Sequence, residues 1–374
     1  MKPVKILTVL GARPQFIKAA PLCKALREAG HQEILVHTGQ HYDASLSEVF
    51  FREMGLPEPA LNLNVGSGPH GMQTGIMLQK IEQVLIDQKP DWTLVFGDTN
   101  STLAGALAAC KLRIPVAHVE AGLRSFNRSM PEEHNRVLTD HCSDLLFCPT
   151  ETAVSNLRKE GIQNCVHRVG DTMLDAVRAY ASLADQHSRV LETLSLQEKS
   201  FYLATIHRPS NTDTRENLDR VLRALGGLHR VVVLPLHPRT KARITQFALQ
   251  VPRNVMPAAP VGYLDMLRLQ KAAKVVLTDS GGVQKEACFL GTPCVTLRSE
   301  TEWIETVQAG WNRVAGTEPC DVAGAVEEFE NHELPPPLSG FGDGRATIRI
   351  AQLLGTAGPQ ARSSFPLPVE SKGV

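Results

Sequence analysis

Four short stretches carry residues whose types and spacing could do chemistry: DTNSTL, HVEAGLRS and MPEEHNR in the first half of the chain, and DSGGVQKEA in the second. Asp98 follows the apolar run TLVFG, and Glu120 follows PVAHV on a glycine-flanked loop. A carboxylate left at the end of a buried strand is expected to be paired or functional, because an isolated buried charge is costly. Glu132 and Glu133 open a helical stretch, where an acid also serves the helix dipole. Asp98 has a plainer reading as well, as the N-cap of a helix starting near Asn100.

The second half offers binders of anions. KVVLTD reads as a buried strand and VQKEACFL as a helix, so Ser280, Gly281 and Gly282 form a turn whose backbone N–H groups could cradle phosphate. Ser280 can cap the helix, and Glu286, six residues further on, can accept from ribose hydroxyls. The glycine pair could instead serve only close helix packing, and its spacing is not that of a dinucleotide fingerprint. His207 and Arg208 follow FYLATI, and His237 follows VVVLPL. Three loops delivering His, Arg and a Gly-Gly turn to one edge point to a nucleoside diphosphate. Near the start, GARPQFIKAAPL combines Gly11 for a tight turn, Pro14 at a helix start, and Arg13 and Lys18 beside the helix N-terminus, which together favour an anion. Acids in one half and phosphate binders in the other suggest proton transfer on a sugar beside its nucleotide leaving group.

The elements that must position these groups alternate. β-rich apolar runs at 5–10, 34–37, 92–96, 115–119 and 145–148 are separated mostly by helical patterns, and the rhythm restarts at 201–205, 231–236, 274–278 and 294–297. Such alternation predicts parallel sheets covered on both faces, with ligands beyond the carboxyl ends of the strands. The expected organisation is an N-terminal domain over 1–172, a hinge within 173–200, and a C-terminal domain over 173–342. An amphipathic helix near 343–355 would return to the first domain, and a loose tail would occupy 356–374.

The totals narrow the function. A chain of 374 residues exceeds what one core usually serves. Its 39 basic and 39 acidic residues leave no field for a nucleic acid, and no apolar run is long enough for a membrane. Cysteines 23, 110, 142, 148, 165, 288, 294 and 320 lack the paired spacing of a zinc or redox site, so no metal is expected, and the thiols fit a reducing cytoplasm. The N-terminal MKPVKILTVLGARPQ reads as a first strand rather than a signal peptide.

Taken together, GARPQFIK, TGQHYD, GDTNSTLAGALAA, HVEAGLRS, MPEEHNRVLTD, TIHR and DSGGVQKEA…LGTPCVTLR…TEW resemble the non-hydrolysing UDP-N-acetylglucosamine 2-epimerases, over about residues 5–355. The resemblance implies the GT-B architecture, two Rossmann-like domains facing a central cleft, and no cofactor. It implies reversible inversion at C2 of a UDP-2-acetamido sugar through anti elimination of UDP and a glycal intermediate. Asp98, Glu120 and Glu132 would be the acid/base and charge-stabilising carboxylates. His207 would act at the diphosphate with Arg208. Arg13, Lys18, Arg136, His237 and Ser280 to Gly282 would bind substrate, with Glu286 on the ribose. A homodimer is the family expectation. GARPQ in place of the GTRPE form, together with TEWIETV, resembles the branch acting on UDP-2,3-diacetamido-2,3-dideoxy-glucuronate. Gln40 and His41 match the loop that serves activation by a second UDP-GlcNAc in some members, but YDASL and GSGPHGMQT do not supply its other partners. A hydrolysing 2-epimerase, a retaining glycosyltransferase and a non-catalytic UDP-sugar sensor are the competing readings.

Overall fold

The computed structural model describes residues 2–40 and 53–357, so His41 and most of the predicted tail lie outside the described residues. The first sheet contains β1 (Lys5–Leu10), β2 (Gln32–His37), β3 (Leu61–Asn62), β4 (Trp92–Phe96), β5 (Val116–Val119), β6 (Leu145–Cys148) and β7 (Val166–Arg168). They are all parallel, in the order β3-β2-β1-β4-β5-β6-β7. Every residue of β4, β5 and β6 is buried, as a sheet covered on both faces requires. Its helices are α1 (Arg13–Glu28), α2 (His70–Gln88), α3 (Asn100–Lys111), α4 (Pro131–Cys142) and α5 (Glu151–Lys159).

The helix α3 shows why this sequence builds a site at the sheet's edge. NSTLAGALAACK buries a run of alanines, and a Cβ on Gly105 would sit 3.1 Å from Val95 Cγ1 and 3.3 Å from Val9 Cγ2. Small residues therefore let α3 lie close on β1 and β4, the strands between which the winding order reverses. Such a reversal leaves an uncovered crevice at the strands' carboxyl ends. The loops there carry Gly11 to Arg13 and Gly97 to Asp98.

In the second unit α6 (Thr172–His187) and α7 (Val190–Thr193) occupy the stretch expected as a hinge. Its sheet holds β8 (Phe201–Thr205), β9 (Val231–Pro235), β10 (Val255–Ala258), β11 (Val276–Thr278), β12 (Cys294–Thr296) and β13 (Asn312–Val314). The order is β10-β9-β8-β11-β12-β13, again parallel and reversing beside the first strand. Between and after these strands run α8 (Pro209–Thr212), α9 (Arg215–Gly226), α10 (Pro238–Gln246), α11 (Tyr263–Ala272), α12 (Gly281–Phe289), α13 (Ile304–Gln308) and α14 (Pro319–Asn331). Both units are of the Rossmann-like parallel kind expected for the GT-B architecture. The strands not anticipated are β3, β7, β10 and β13, all short and at or next to a sheet edge, where neighbours rather than sequence pattern define a strand.

The last helix, α15 (Ala346–Thr356), belongs to the first unit. It buries Ala346, Ile350, Ala351 and Leu354, each fully covered Ile or Leu being worth about 1.5–3 kcal/mol. The His31 ring meets the Ala351 carbonyl at 2.9 Å, and Arg349 bonds the Val169 carbonyl at 3.1 Å.

The tightest spot in the first unit is Gly11. Its backbone is not left-handed, so the expected turn is not what requires glycine. A Cβ there would overlap Ser101 Oγ and Thr38 Oγ1, two hydroxyls already bonded to each other at 2.8 Å. Gly11→Ala is expected to destabilise the protein by about 1–3 kcal/mol, read by urea unfolding; an unchanged midpoint would refute this account of the packing.

Candidate functional site

In the first unit the residues that end β4 and β5 come together. Gly97 has φ +63°, and a Cβ on it would lie 3.4 Å from the Glu120 carboxylate. Asp98, next along, is clasped by Arg136, whose Nε and Nη2 donate to its Oδ2 at 3.0 and 2.7 Å. The Asp98 side chain keeps 31% exposure, so it stays within reach of a ligand. It is not the N-cap of α3. Thr99 fills that position and accepts from the Thr102 amide.

Glu120 is buried, and it holds φ +69°, a left-handed backbone that costs a non-glycine residue about 1–3 kcal/mol. Lys18, in the second turn of α1, is ion-paired to its carboxylate. The lysine expected on the nucleotide is thus a partner of an acid. Arg136 is likewise occupied, because its Nη1 donates to Glu133 at 2.7 Å while its other face holds Asp98.

The two adjacent glutamates of MPEEHNR divide their tasks. Glu133 accepts from the Ser125 and Phe126 amides, each at 2.9 Å, and from Ser125 Oγ at 2.9 Å, which fixes the segment that follows EAGL. Burial pushes its carboxyl up, but the Ser125, Arg136 and Phe126 donors outweigh it and hold it below the usual range. Glu132 is only half-buried in the first turn of α4, where the helix dipole favours an anion.

Arg13 begins α1, but the amides of Gly11 and Ala12 do not wait for a ligand. Both donate to Gln15 Oε1, at 2.8 and 2.9 Å. The same side chain donates from Nε2 to the Phe96 carbonyl at 2.8 Å, tying the loop after β1 to the loop after β4. Sequence reading passed over Gln15, although a glutamine three residues past a helix N-cap is half of a capping box.

The second unit centres on Asp279, which the sequence reading did not single out. Its carboxylate accepts from the His207 amide at 3.2 and 3.1 Å, the Arg208 amide at 3.0 Å and Asn211 Nδ2 at 3.0 Å. It also faces His207 Nδ1 at 3.1 Å. His207 keeps 39% exposure, and its ring lies 5.9 Å from that of His237. His237 Nδ1 in turn caps α10 by accepting from the Arg239 amide. Asp279, His207, Arg208 and Ser280 thus cluster at the reversal point of the second sheet, beside β8 and β11, with His237 alongside.

The Gly-Gly turn does begin α12, but its two glycines differ. A Cβ on Gly281 would come within 2.5 Å of Glu302 Oε1 and 3.2 Å of Trp303 Nε1, so Gly281 is needed for packing. At Gly282 the nearest neighbour is 3.8 Å away, so its lack of a side chain opens the backbone instead. Ser280 occupies the N-cap position without a side-chain cap bond. Glu286 is buried against α11, where Gln270 Nε2 donates to it at 2.8 Å. Its carboxylate therefore braces α12 on α11.

Chemically, the first unit presents two carboxylates, each paired with a cation, on neighbouring strand ends. The second presents imidazoles, an arginine and open helix amides suited to phosphate. No group of His, Cys, Asp and Glu able to hold a metal occurs among the described residues, and no described helix is long and apolar enough to cross a membrane.

Residues 24–355 match the family model described as UDP-N-acetylglucosamine 2-epimerase. A UDP-N-acetylglucosamine 2-epimerase homolog of Methanococcus maripaludis is 49% identical over 356 residues, covering 94% of this chain and 99% of that one. The UDP-2,3-diacetamido-2,3-dideoxy-D-glucuronate 2-epimerase of Pseudomonas aeruginosa is 47% identical over 359 residues, with the same coverage. Among solved structures, the Methanocaldococcus jannaschii UDP-GlcNAc 2-epimerase in complex with UDP-GlcNAc and UDP superposes with a TM-score of 0.88 at 43% identity, over 96% of this chain and all of that one.

Burial pushes the Asp279 carboxyl up, but its bonds to His207 and Arg208 outweigh this and hold it below the ordinary range. Its stabilisation is therefore present above the unfolded value and is lost as pH falls through the folded one. Asp279→Asn is expected to cost about 3 kcal/mol at pH 7, with the gap to wild type narrowing below about pH 4. Urea unfolding across that range checks it, and a difference that ignores pH would show that the charge is not what stabilises.

Proposed function

We propose, since the chain belongs to the UDP-N-acetylglucosamine 2-epimerase family, that this epimerase inverts C2 of a UDP-linked 2-acetamido sugar by eliminating UDP and adding it back. The observation that carries the reading is the meeting of Asp98 and Glu120 on adjacent strand ends of the first unit, each held by its own cation.

The chemistry explains the need for such a pair. The C2 proton is poorly acidic, so the C1–O bond to UDP must stretch first and leave positive charge at C1. Its bonding electrons depart on a β-phosphate oxygen. A carboxylate then takes the C2 proton, and the C2–H pair becomes the C1–C2 double bond of a glycal. Re-addition reverses each step, with a proton delivered to the opposite face of C2 and the UDP oxygen returning to C1. Inversion thus requires an acid/base group for each face, and Asp98 and Glu120 are assigned these roles, with Glu132 stabilising charge at C1.

Departure of UDP is made easier by donors that bind the diphosphate more tightly as its charge grows. His207, Arg208, His237 and the Ser280 to Gly282 amides are assigned to it, with Arg13 on the nucleotide. Lys18 and Arg136 act by holding carboxylates in place, and Glu286 acts on the ribose side of α12.

The sugar is assigned to the UDP-GlcNAc type, supported by the family model, the 49% identity to the Methanococcus maripaludis homolog and the 43% identity to the Methanocaldococcus structure. The 2,3-diacetamido-glucuronate branch is the second reading, supported by the 47% identity to the Pseudomonas enzyme and by GARPQ and TEWIETV. A cytoplasmic homodimer completes the proposal on family likeness, to be read by sedimentation and fractionation.

Proton NMR in deuterium oxide with each UDP-sugar in its own tube tests this directly. Loss of the C2 proton with appearance of the manno isomer identifies the substrate; silence in both tubes overturns the proposal, and stoichiometric free UDP and sugar would make the protein a hydrolase. Asp98→Asn and Glu120→Gln are each expected to lower kcat by about 100-fold or more while UDP still binds. Near-normal turnover in both would remove these two residues from the mechanism.

A further inference from the structure

Resting on that reading, we infer that His118 and Asp140 form a buried positioning pair that fixes where Asp98 and Glu120 stand relative to each other. His118 lies in β5, two residues before Glu120, and neither it nor Asp140 has any side-chain exposure. Neither can touch a substrate. The His118 Nε2 bond runs 2.8 Å to the carbonyl of Gly97, the residue before Asp98, and the Nδ1 bond runs 2.7 Å to Asp140 Oδ1. Each ring nitrogen thus faces an oxygen of a different element.

The other oxygen of Asp140 completes the device. It accepts from the Gly122 amide at 3.1 Å and from Arg124 Nη1 at 2.7 Å, anchoring the chain two and four residues past Glu120. Arg124 also donates to the Leu123 carbonyl at 2.7 Å and to Glu160 at 2.7 and 2.6 Å. From the far side, Asn156 Nδ2 holds the Gly122 carbonyl at 3.0 Å.

Three residues served by this network are left-handed: Gly97 at φ +63°, Glu120 at +69° and Gly122 at +80°. A strained backbone persists only where its surroundings over-determine it. A single ring and a single carboxylate here bind the backbone of both loops, on different strands. Apolar side chains of the same volume would serve stability at least as well as a buried ion network. They could not fix two backbone loops to one another.

The two bonds of the ring can be separated. His118→Asn can mimic only Nδ1 and keep Asp140; His118→Gln can mimic only Nε2 and keep Gly97. Both variants are expected to fold by circular dichroism, to bind UDP within about twofold of wild type, and to lose about 100-fold in kcat, as misplacement by an ångström does. Their remaining turnover is expected to release UDP and the glycal into solution, seen by phosphorus and proton NMR, because proton return is no longer aligned. A kcat within about threefold of wild type in either variant overturns the inference. So does a parallel loss of kcat and UDP affinity without glycal release, or failure of both variants to fold, since each marks a purely structural pair. A wild-type protein inert toward every UDP-2-acetamido sugar is a different result, which removes the epimerase reading itself.

Discussion

A carboxylate taken out of water has to be met by a cation or by N–H donors, and much of this protein's site follows from that constraint. Glu133, Asp140 and Asp279 are each pushed up by burial and each held below the ordinary range by the donors around them. They are fixed negative anchors, and the loops after the strands are tied to them. The same constraint explains why Lys18 and Arg136 face acids within the first unit. In the proposed reaction, the cations that hold Asp98 and Glu120 would leave little reorganisation for the chemical step, and preorganised charge is the larger part of what such sites contribute.

Topology decides where the anchors can matter. Each sheet reverses its winding beside its first strand, and at each reversal the loops after two neighbouring strands lie side by side. In the first unit these are the loops holding Arg13 and Asp98; in the second, those holding His207 and Asp279. The alanine-rich face of α3 is a local sequence feature with a direct consequence here, because bulkier residues would lift the helix from β1 and β4 and with it the Asp98 turn.

Much of this was legible in the sequence, and most of what was not shares a cause. Continuous apolar runs such as WTLVF and FYLAT announced buried parallel strands, and the carboxylates and the SGG turn stood at their ends as read. Partnerships across the chain were not legible. Gln15 reaches Phe96, His118 reaches Asp140 and Gly97, and Asp279 reaches back to His207 and Asn211. Each of these is an ordinary polar residue until folding brings its partner near. Two capping readings differ locally instead: the adjacent Thr99 rather than Asp98 caps α3, and Ser280 holds the N-cap position of α12 without a side-chain bond.

The placement of α15 orders events on the ribosome. The ring of His31 is paired with a carbonyl 320 residues later, so α1 lacks its final cover until that later helix has been made. The second unit, by contrast, is almost one contiguous stretch inserted after Thr172. Domains generally fold as units while the chain is still emerging. Here the part begun first is the part finished last, and the half-built first unit exposes an apolar helix face throughout synthesis of the second. That interval is when a chaperone has most to bind.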